Sequence, residues 1–236
     1  MNKAHSGACV GGMITVGVIR NGSTYLSRHL RKNDYWTEGE KKVEGIWIGE
    51  GAKRLGLEGG VQDKAFDAVR RNRHPDTGEK LTARESKERV AFFDVQLSAP
   101  KDVSVLAMVG GDERVVVAFQ DSVRIALEEM EGFAAVRERR GRAHETEQFR
   151  LTSNFVGALF FHDTSRDLDP QLHGHAVLAN ATWDAARGEW YALQPAEMLR
   201  ASGYLRQVLY RELATRLREL GYETYGMGST GFSVRG

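Results

Sequence analysis

Three of the seven histidines in this chain lie within one stretch of 14 residues. His173 and His175 are separated by a single residue in a segment that reads as a β-strand, and His162 ends the apolar run that precedes it. Side chains two positions apart on a strand project from the same face. The segment between, which is rich in Asp and contains Ser and one Pro, can form a loop that brings His162 back beside the other two. The three imidazoles therefore predict a metal site with coordination positions left over for a substrate.

The same histidines also fit a simpler interpretation, in which each is a surface or hydrogen-bonded residue of a strand. Their clustering, with two of them on one strand face, favours the metal site. Spacing alone does not name the ion. Three histidines suit zinc in a hydrolase, and they equally suit Mg²⁺ or Mn²⁺ when a phosphate supplies the remaining oxygen ligands.

A metal that polarises a phosphate needs a nucleophile, and two tyrosines are the candidates. Tyr25 and Tyr35 lie in the polar stretch STYLSRHLRKNDYW, where Arg28 and its basic neighbours suit phosphate contacts. A phenol can form a covalent phosphotyrosyl bond that conserves the energy of the broken phosphodiester. Half-buried amphipathic tyrosines would give the same pattern, so this stretch by itself leaves the role open. The chain has neither a serine-hydrolase elbow nor a P-loop.

A carboxylate lies in the middle of a second apolar strand, AFFDVQLS. Alternation puts Asp94 on one face with Phe92 and Gln96, opposite the neighbouring apolar side chains. An isolated charge in so apolar a strand is costly, so Asp94 needs a partner. A metal-bound histidine and a tyrosine hydroxyl are both candidates, and a plain surface carboxylate on an open sheet face is the alternative.

Composition limits the classes of protein to which the chain can belong. Its 236 residues are 41% hydrophobic and 28% charged with a net charge of +1, so any polyanion site must be a local patch. The single Cys9 excludes an intramolecular disulfide and fits a reducing compartment. No apolar run reaches the roughly 18–20 residues that a membrane span requires.

Strands and helices follow one another without a strict βαβ alternation, which predicts a single α+β domain. Residues 1–12 read as a flexible leader. Strands are predicted at residues 13–19, 89–98 and 173–181, with one or two more in residues 148–161 and a short one at 190–193. Helices are predicted at residues 25–30, 63–72 (capped by Asp63), 101–109, 112–139 and 195–220, with a loop at 74–88 and a hairpin at the end.

These pieces, in this order, resemble the relaxase domain of MobF-type conjugative relaxases, the TraI/TrwC-like proteins of the HUH endonuclease superfamily. The most specific block is HDTSRDLDPQLHGHAVLAN, which is similar to the three-histidine motif of the family. The block SKERVAFFDVQLSAPKDVSVLAMVGGD is similar to its second motif, and GEGAKRLGLEGGV and LGYET also fit. The resemblance covers residues 13–236 and implies a central antiparallel, palm-like sheet flanked by helices, with the segments that close over DNA and a helicase absent.

The resemblance also implies roles for particular residues. The metal ligands are His162, His173 and His175. Tyr25 matches the first catalytic tyrosine and Tyr35 the second, although the sequence does not choose which of them cuts first. Asp94 matches the acidic residue that orients a metal-bound histidine and assists deprotonation of the tyrosine. The residues chosen for DNA-phosphate contacts, because each adjoins one of these blocks, are Arg28, Lys101 and Arg166.

The activity implied is the nicking and religation of one strand at a plasmid origin of transfer, through a covalent 5′-phosphotyrosine and a free 3′-hydroxyl. The expected cofactor is a divalent ion, Mg²⁺ or Mn²⁺ before Zn²⁺ or Ni²⁺. The expected partners are single-stranded origin DNA, relaxosome accessory proteins and a coupling protein, in the cytoplasm and without membrane insertion. Two alternatives are a metal-stabilised module that binds single-stranded DNA without nicking it, and a His₃ zinc hydrolase that uses activated water.

Overall fold

The computed structural model of the chain describes residues 14–20, 44–83, 89–138, 148–165, 169–228 and 231–235. Tyr25, Tyr35, Arg28 and Arg166 lie outside these ranges, as do the predicted leader and the predicted helix at residues 25–30. In chain order the elements are β1 (Ile14–Arg20), β2 (Ile46–Ile48), α1 (Glu50–Arg54), α2 (Asp63–Arg70), β3 (Val90–Ser98), α3 (Lys101–Met108), α4 (Glu113–Glu131), β4 (Ala135–Glu138), β5 (Gln148–Leu151), β6 (Gly157–Thr164), β7 (Pro170–Ala179), β8 (Thr182–Asp184), β9 (Glu189–Tyr191), α5 (Ala196–Arg200), α6 (Ser202–Glu219), β10 (Glu223–Gly228) and β11 (Gly231–Arg235).

Five strands form the central sheet, in the order β1-β3-β7-β6-β2. Every neighbouring pair in it is antiparallel. Strands β6 and β7 are the two arms of a hairpin, whereas β3 joins β7 from far away in the sequence. The pairs β4–β5, β8–β9 and β10–β11 form separate two-stranded sheets. The predicted α+β class with a central antiparallel sheet is confirmed.

The two faces of the sheet are covered differently. On one face, Phe93, Val95 and Leu97 of β3 belong to the larger core cluster, which includes residues of α3, α4 and α6. On the other face, Phe92 of β3 and Phe66 of α2 stack with ring centroids 5.0 Å apart within a smaller cluster. Strand alternation therefore sends the apolar side chains of β3 to both sides, and this second face continues past Phe92 to Asp94.

The structure corrects three boundaries. The helix predicted over residues 112–139 ends at Glu131, because the chain tightens into i→i−3 hydrogen bonds from Gly132 onward and then enters β4, which pairs with β5. The helix predicted over residues 195–220 is divided at Ala201 into α5 and α6. Asp63 is the first residue of α2 rather than its cap, which is Gln62 and makes no side-chain capping bond.

The other predicted strands and helices of the described part lie close to their predicted positions, whereas β2, α1 and β8 have no individual prediction from the sequence. Gly221, with φ 96°, follows the end of α6 in a conformation that favours glycine, and the final strands form a hairpin. Within the described part of the chain, no helix combines the length and apolar character that a membrane crossing needs.

Candidate metal centre

The β6–β7 hairpin brings the three histidines to one face of the sheet. His162 of β6 is directly opposite His173 of β7, and His175 is opposite Phe160. Residues that face each other across antiparallel strands project to the same side. The fold therefore brings together the histidines that the sequence predicts as ligands.

The rings of the three histidines surround a common space. Ring centroids are 5.2 Å apart for His162 and His173, 5.4 Å for His162 and His175, and 5.2 Å for His173 and His175. A ring bound through Nε2 at about 2.1 Å has its centroid about 3.2 Å from the metal, so two ligand rings at about 110° lie roughly 5.3 Å apart. The three spacings match that value.

Hydrogen bonds on the Nδ1 atoms set the rings for ligation through Nε2. Nδ1 of His175 is 2.8 Å from Oδ1 of Asp94, and Nδ1 of His173 is 2.9 Å from the carbonyl oxygen of Gln171. Carboxylate and carbonyl oxygens only accept, so each Nδ1 carries a proton, and in the neutral ring each Nε2 keeps its lone pair. Metal-ligating histidines are oriented by second hydrogen bonds of this kind.

Burial favours the neutral form of the ring that a metal requires. His173 is only 7% exposed, and burial, followed by the proximity of His175, lowers the pKa of His173 below its usual value. Nε2 of His162 is buried as well. Because a protonated imidazole has no lone pair to donate, these surroundings favour the ligand state.

Among the described residues, no three His, Cys, Asp or Glu side chains are already placed at the distances from one another that would hold a metal ion. The three histidines nevertheless fit a divalent ion, because their ring spacing, the Nδ1 hydrogen bonds of His173 and His175, and their burial are all those expected of metal ligands. Asp94 fits the role of an orienting group rather than that of a ligand, since its carboxylate binds the far side of the His175 ring.

Asp94 reaches His175 because β3 lies next to β7, although the two residues are 81 positions apart. Asp94 is 6% exposed. On its other side Gly17 of β1 is its partner in the ladder, and a Cβ at Gly17 would stop 3.8 Å from the Cβ of Asp94. The carboxylate thus has a histidine on one side and a residue without a side chain on the other.

Of the residues predicted to contact DNA, the structure describes only Lys101. It begins α3, is exposed, and its Nζ donates a 3.0 Å hydrogen bond to the carbonyl oxygen of Pro170 at the start of β7. Lys101 therefore lies beside the first residue of β7, three residues before His173.

Two residues of the site carry no prediction from the sequence. The carbonyl of Gln171 orients His173, and no side-chain pattern points to a main-chain acceptor. Gln96 lies opposite His175 on β3. Strand alternation puts Gln96 on the same face as Asp94, and this pattern could have predicted Gln96 as a residue of the site.

Comparisons with known proteins identify the family of this chain. The profile of the TrwC relaxase family matches residues 19–236. The chain belongs to the TrwC relaxase family. The predicted resemblance to MobF-type relaxases is confirmed. The chain is 35% identical over 230 residues to the multifunctional conjugation protein TraI of Escherichia coli K12, covering 93% of this chain and 13% of that protein. A second Escherichia coli TraI sequence matches to the same extent.

Solved TrwC structures have the same fold as this relaxase chain. A metal-free TrwC complex with origin DNA superimposes with a TM-score of 0.76 at 32% identity, covering 94% of this chain and 75% of that one. A metal-bound TrwC complex gives a TM-score of 0.78 at 31% identity, with the same coverage. A TrwC complex with a 27-mer that contains the recognition hairpin and the cleavage site gives 0.76 at 32%, covering 94% and 74%.

Proposed function

We propose that this chain is a strand-specific DNA nicking domain that cleaves and rejoins one strand at an origin of transfer. The observation that carries the proposal is the hydrogen bond that His175 Nδ1 donates to Asp94, beside two further histidines whose ring centroids lie 5.2 and 5.4 Å from that of His175. Membership of the relaxase family agrees with it. The chain spans only 13% of the length of its TraI relatives, so the proposal concerns the nicking step and not all that those proteins do.

His162, His173 and His175 would hold a divalent ion, Mg²⁺ or Mn²⁺ in preference to Zn²⁺ or Ni²⁺. Such an ion, when bound, offsets negative charge on the oxygens of a phosphodiester. Metal-bound TrwC structures support a bound divalent ion, and the preference for Mg²⁺ or Mn²⁺ is part of the proposal. Asp94 keeps His175 in the tautomer and orientation that ligation requires.

Tyr25 is the proposed nucleophile and Tyr35 the tyrosine of a later transfer, with Asp94 assisting deprotonation. The Tyr25 Oη attacks phosphorus and loses its proton, while the bond from phosphorus to the 3′-oxygen breaks and that oxygen takes up a proton. The products are a 5′-phosphotyrosine and a free 3′-hydroxyl, so the reverse attack restores the strand.

Lys101 is the proposed phosphate contact at the start of α3, and Arg28 and Arg166 are proposed for the same purpose. Single-stranded DNA would follow the sheet face that carries the histidines. Relaxosome accessory proteins, a coupling protein and a cytoplasmic location complete the proposal, and they follow from the family alone.

Adduct formation tests the nicking step. The protein is incubated with Mn²⁺ and single-stranded oligonucleotides that tile both strands of the DNA element carrying its gene, and covalent products are mapped by mass spectrometry. We expect one oligonucleotide to give an adduct on Tyr25, which Tyr25→Phe abolishes and Tyr35→Phe retains. An adduct on another residue would reassign the nucleophile. Cleavage without an adduct would favour activated water, and binding without cleavage would favour a DNA-binding module.

Metal titration tests the ligand set. His173→Ala should bind Mn²⁺ at least a hundredfold more weakly in calorimetry, because one of three nitrogen ligands is lost. The matched control replaces His74, whose Nδ1 accepts a hydrogen bond from the backbone N–H of Asp76 in a turn between α2 and β3. That change should leave the affinity unchanged. Equal Mn²⁺ affinity in wild type and His173→Ala would contradict the assignment.

A further inference from the structure

A polar pocket adjoins the three histidines at the end of the sheet. Its volume is about 440 Å³, within the range of roughly 300–1,000 Å³ that small-molecule sites occupy. We call it the Gln96 pocket, and it is lined by Thr15, Gln96, Ser98, Ala99, Lys101, Ser104, Ser165, Asp169 and Gln171.

Strand register makes this pocket continuous with the proposed metal centre. Gln96 is directly opposite His175, and Ser98 is directly opposite His173. Gln171, which lines the pocket, also orients His173 through its carbonyl. A polymeric ligand with one of its phosphates at the histidines would therefore place the neighbouring monomer in this pocket.

The Gln96 side chain is half-buried on the pocket wall, and no hydrogen bond joins its amide to another part of the described structure. Two other polar side chains of the lining already have partners. Ser104 Oγ donates to the carbonyl of Pro100 and accepts from the amide of Leu172, and Lys101 donates to Pro170. Gln96 thus offers both a donor and an acceptor to an occupant, at the position opposite His175.

The charges of the lining suit a nucleotide. Lys101 supplies a cation at one end, whereas the wall beside the histidines carries neutral amides and hydroxyls. The one acid of the lining is Asp169, an exposed loop residue whose backbone N–H is bonded to Ser165 Oγ. Proteins read unpaired bases through hydrogen bonds to the base edges, and a glutamine amide can make two of them.

We propose that the Gln96 pocket binds the nucleotide that adjoins the scissile phosphate. The Gln96 amide hydrogen-bonds the base edge and so contributes to the choice of cleavage site, while Lys101 contacts the phosphate beyond. This inference rests on the proposed nicking function, and Gln96 acts in it as a specificity residue rather than as a catalytic one.

Side-chain NMR tests the pocket without requiring cleavage. The amide signals of Gln96 are assigned in ¹⁵N-labelled protein by their loss in Gln96→Ala, and dinucleotides of each base, such as d(TpT), are added with Mg²⁺. We expect the Gln96 signals to shift, and to shift most for one base, while those of Gln120 on α4 stay in place. Gln96 signals that do not move with any dinucleotide would overturn the proposal.

Cleavage kinetics give the second test, on the oligonucleotide identified by its adduct. Gln96→Ala should slow cleavage about tenfold, as loss of a base contact does, and Gln120→Ala should not. An abasic site at the adjoining nucleotide should slow the wild type by a similar factor. Because both changes remove the same contact, combining them should slow cleavage no further, and a product of the two factors would contradict the pocket.

The two experiments distinguish failure of the pocket from failure of nicking. If no adduct forms yet the Gln96 signals shift, the nucleotide pocket stands and nicking fails. If the adduct forms, the Gln96 signals do not shift, and the rate reductions from Gln96→Ala and the abasic site multiply, the nicking function is supported and the nucleotide-binding role of the pocket is refuted.

Discussion

Replacing Asp94 with asparagine tests whether this carboxylate acts through His175. The two side chains meet at 2.8 Å and are 7% and 13% exposed, so water does not readily replace the lost bond. A hydrogen bond to a charged group contributes about 1.5–3 kcal/mol and a neutral one about 0.5–1.5 kcal/mol, a difference of about 1–1.5 kcal/mol. That difference corresponds to about tenfold, at the low end of the 10–100-fold that orienting groups contribute to metal affinity.

We therefore expect Asp94→Asn to bind Mn²⁺ about tenfold more weakly than the wild type in isothermal titration calorimetry at about pH 7.5, where a neutral imidazole prevails. Circular dichroism should show an unchanged fold, since Asn is nearly the same shape. The matched control is Asp121→Asn. Asp121 lies on α4, which covers the opposite face of the sheet, and its ion pairs with Arg124 and Arg216 are partly exposed. This substitution should leave the affinity unchanged. An Mn²⁺ affinity of Asp94→Asn within about twofold of wild type would refute the orienting role.

Three further predictions concern stability, each measured by urea unfolding. Gly51→Ala should lower the free energy of unfolding by about 1–3 kcal/mol, because a Cβ there would lie 2.6 Å from the backbone oxygen of Phe155. An unchanged urea midpoint would mean that the backbone moves to accommodate the Cβ without cost. Glu131 accepts two backbone N–H bonds while burial raises its pKa, so Glu131→Ala should cost about 1–3 kcal/mol. Glu131→Gln should lower the free energy of unfolding by less than Glu131→Ala does. As pH rises from 4.5 the wild type should lose stability relative to Glu131→Gln, since a raised carboxyl pKa favours the folded state only while the group is protonated. A stability difference between the two proteins that does not change with pH would contradict this. Asp184 is fully buried and paired twice with Arg150, which lowers the pKa of Asp184, so Asp184→Ala should cost about 3 kcal/mol at about pH 7. That cost should shrink progressively as pH falls below 3.8 and through the lower pKa of the folded state, because the Asp184 carboxylate is then protonated; a cost independent of pH would argue against the ion pair.

The helix boundaries show where local pattern is insufficient. Residues 132–138 continue an apolar pattern that a helix could bury, yet Ala135 pairs with Leu151 in β4–β5. The competing strand, β5, begins only at Gln148, so its pairing energy cannot be read from a sequence window that covers α4. Strand β3, by contrast, begins one residue after its predicted start and ends at its predicted end, because Pro100 cannot continue a ladder.

Sequence by itself determined which faces the chemical side chains share, because the period of two in a strand is a local property of the backbone. Thus Asp94 with Gln96, and His173 with His175, are grouped by strand alternation alone. Only the tertiary structure decided that β3 lies beside β7 in the register that sets Gln96 against His175 and lets Asp94 reach that ring. The pairing of strands distant in sequence depends on the burial of both sheet faces together, and no local pattern contains that energy.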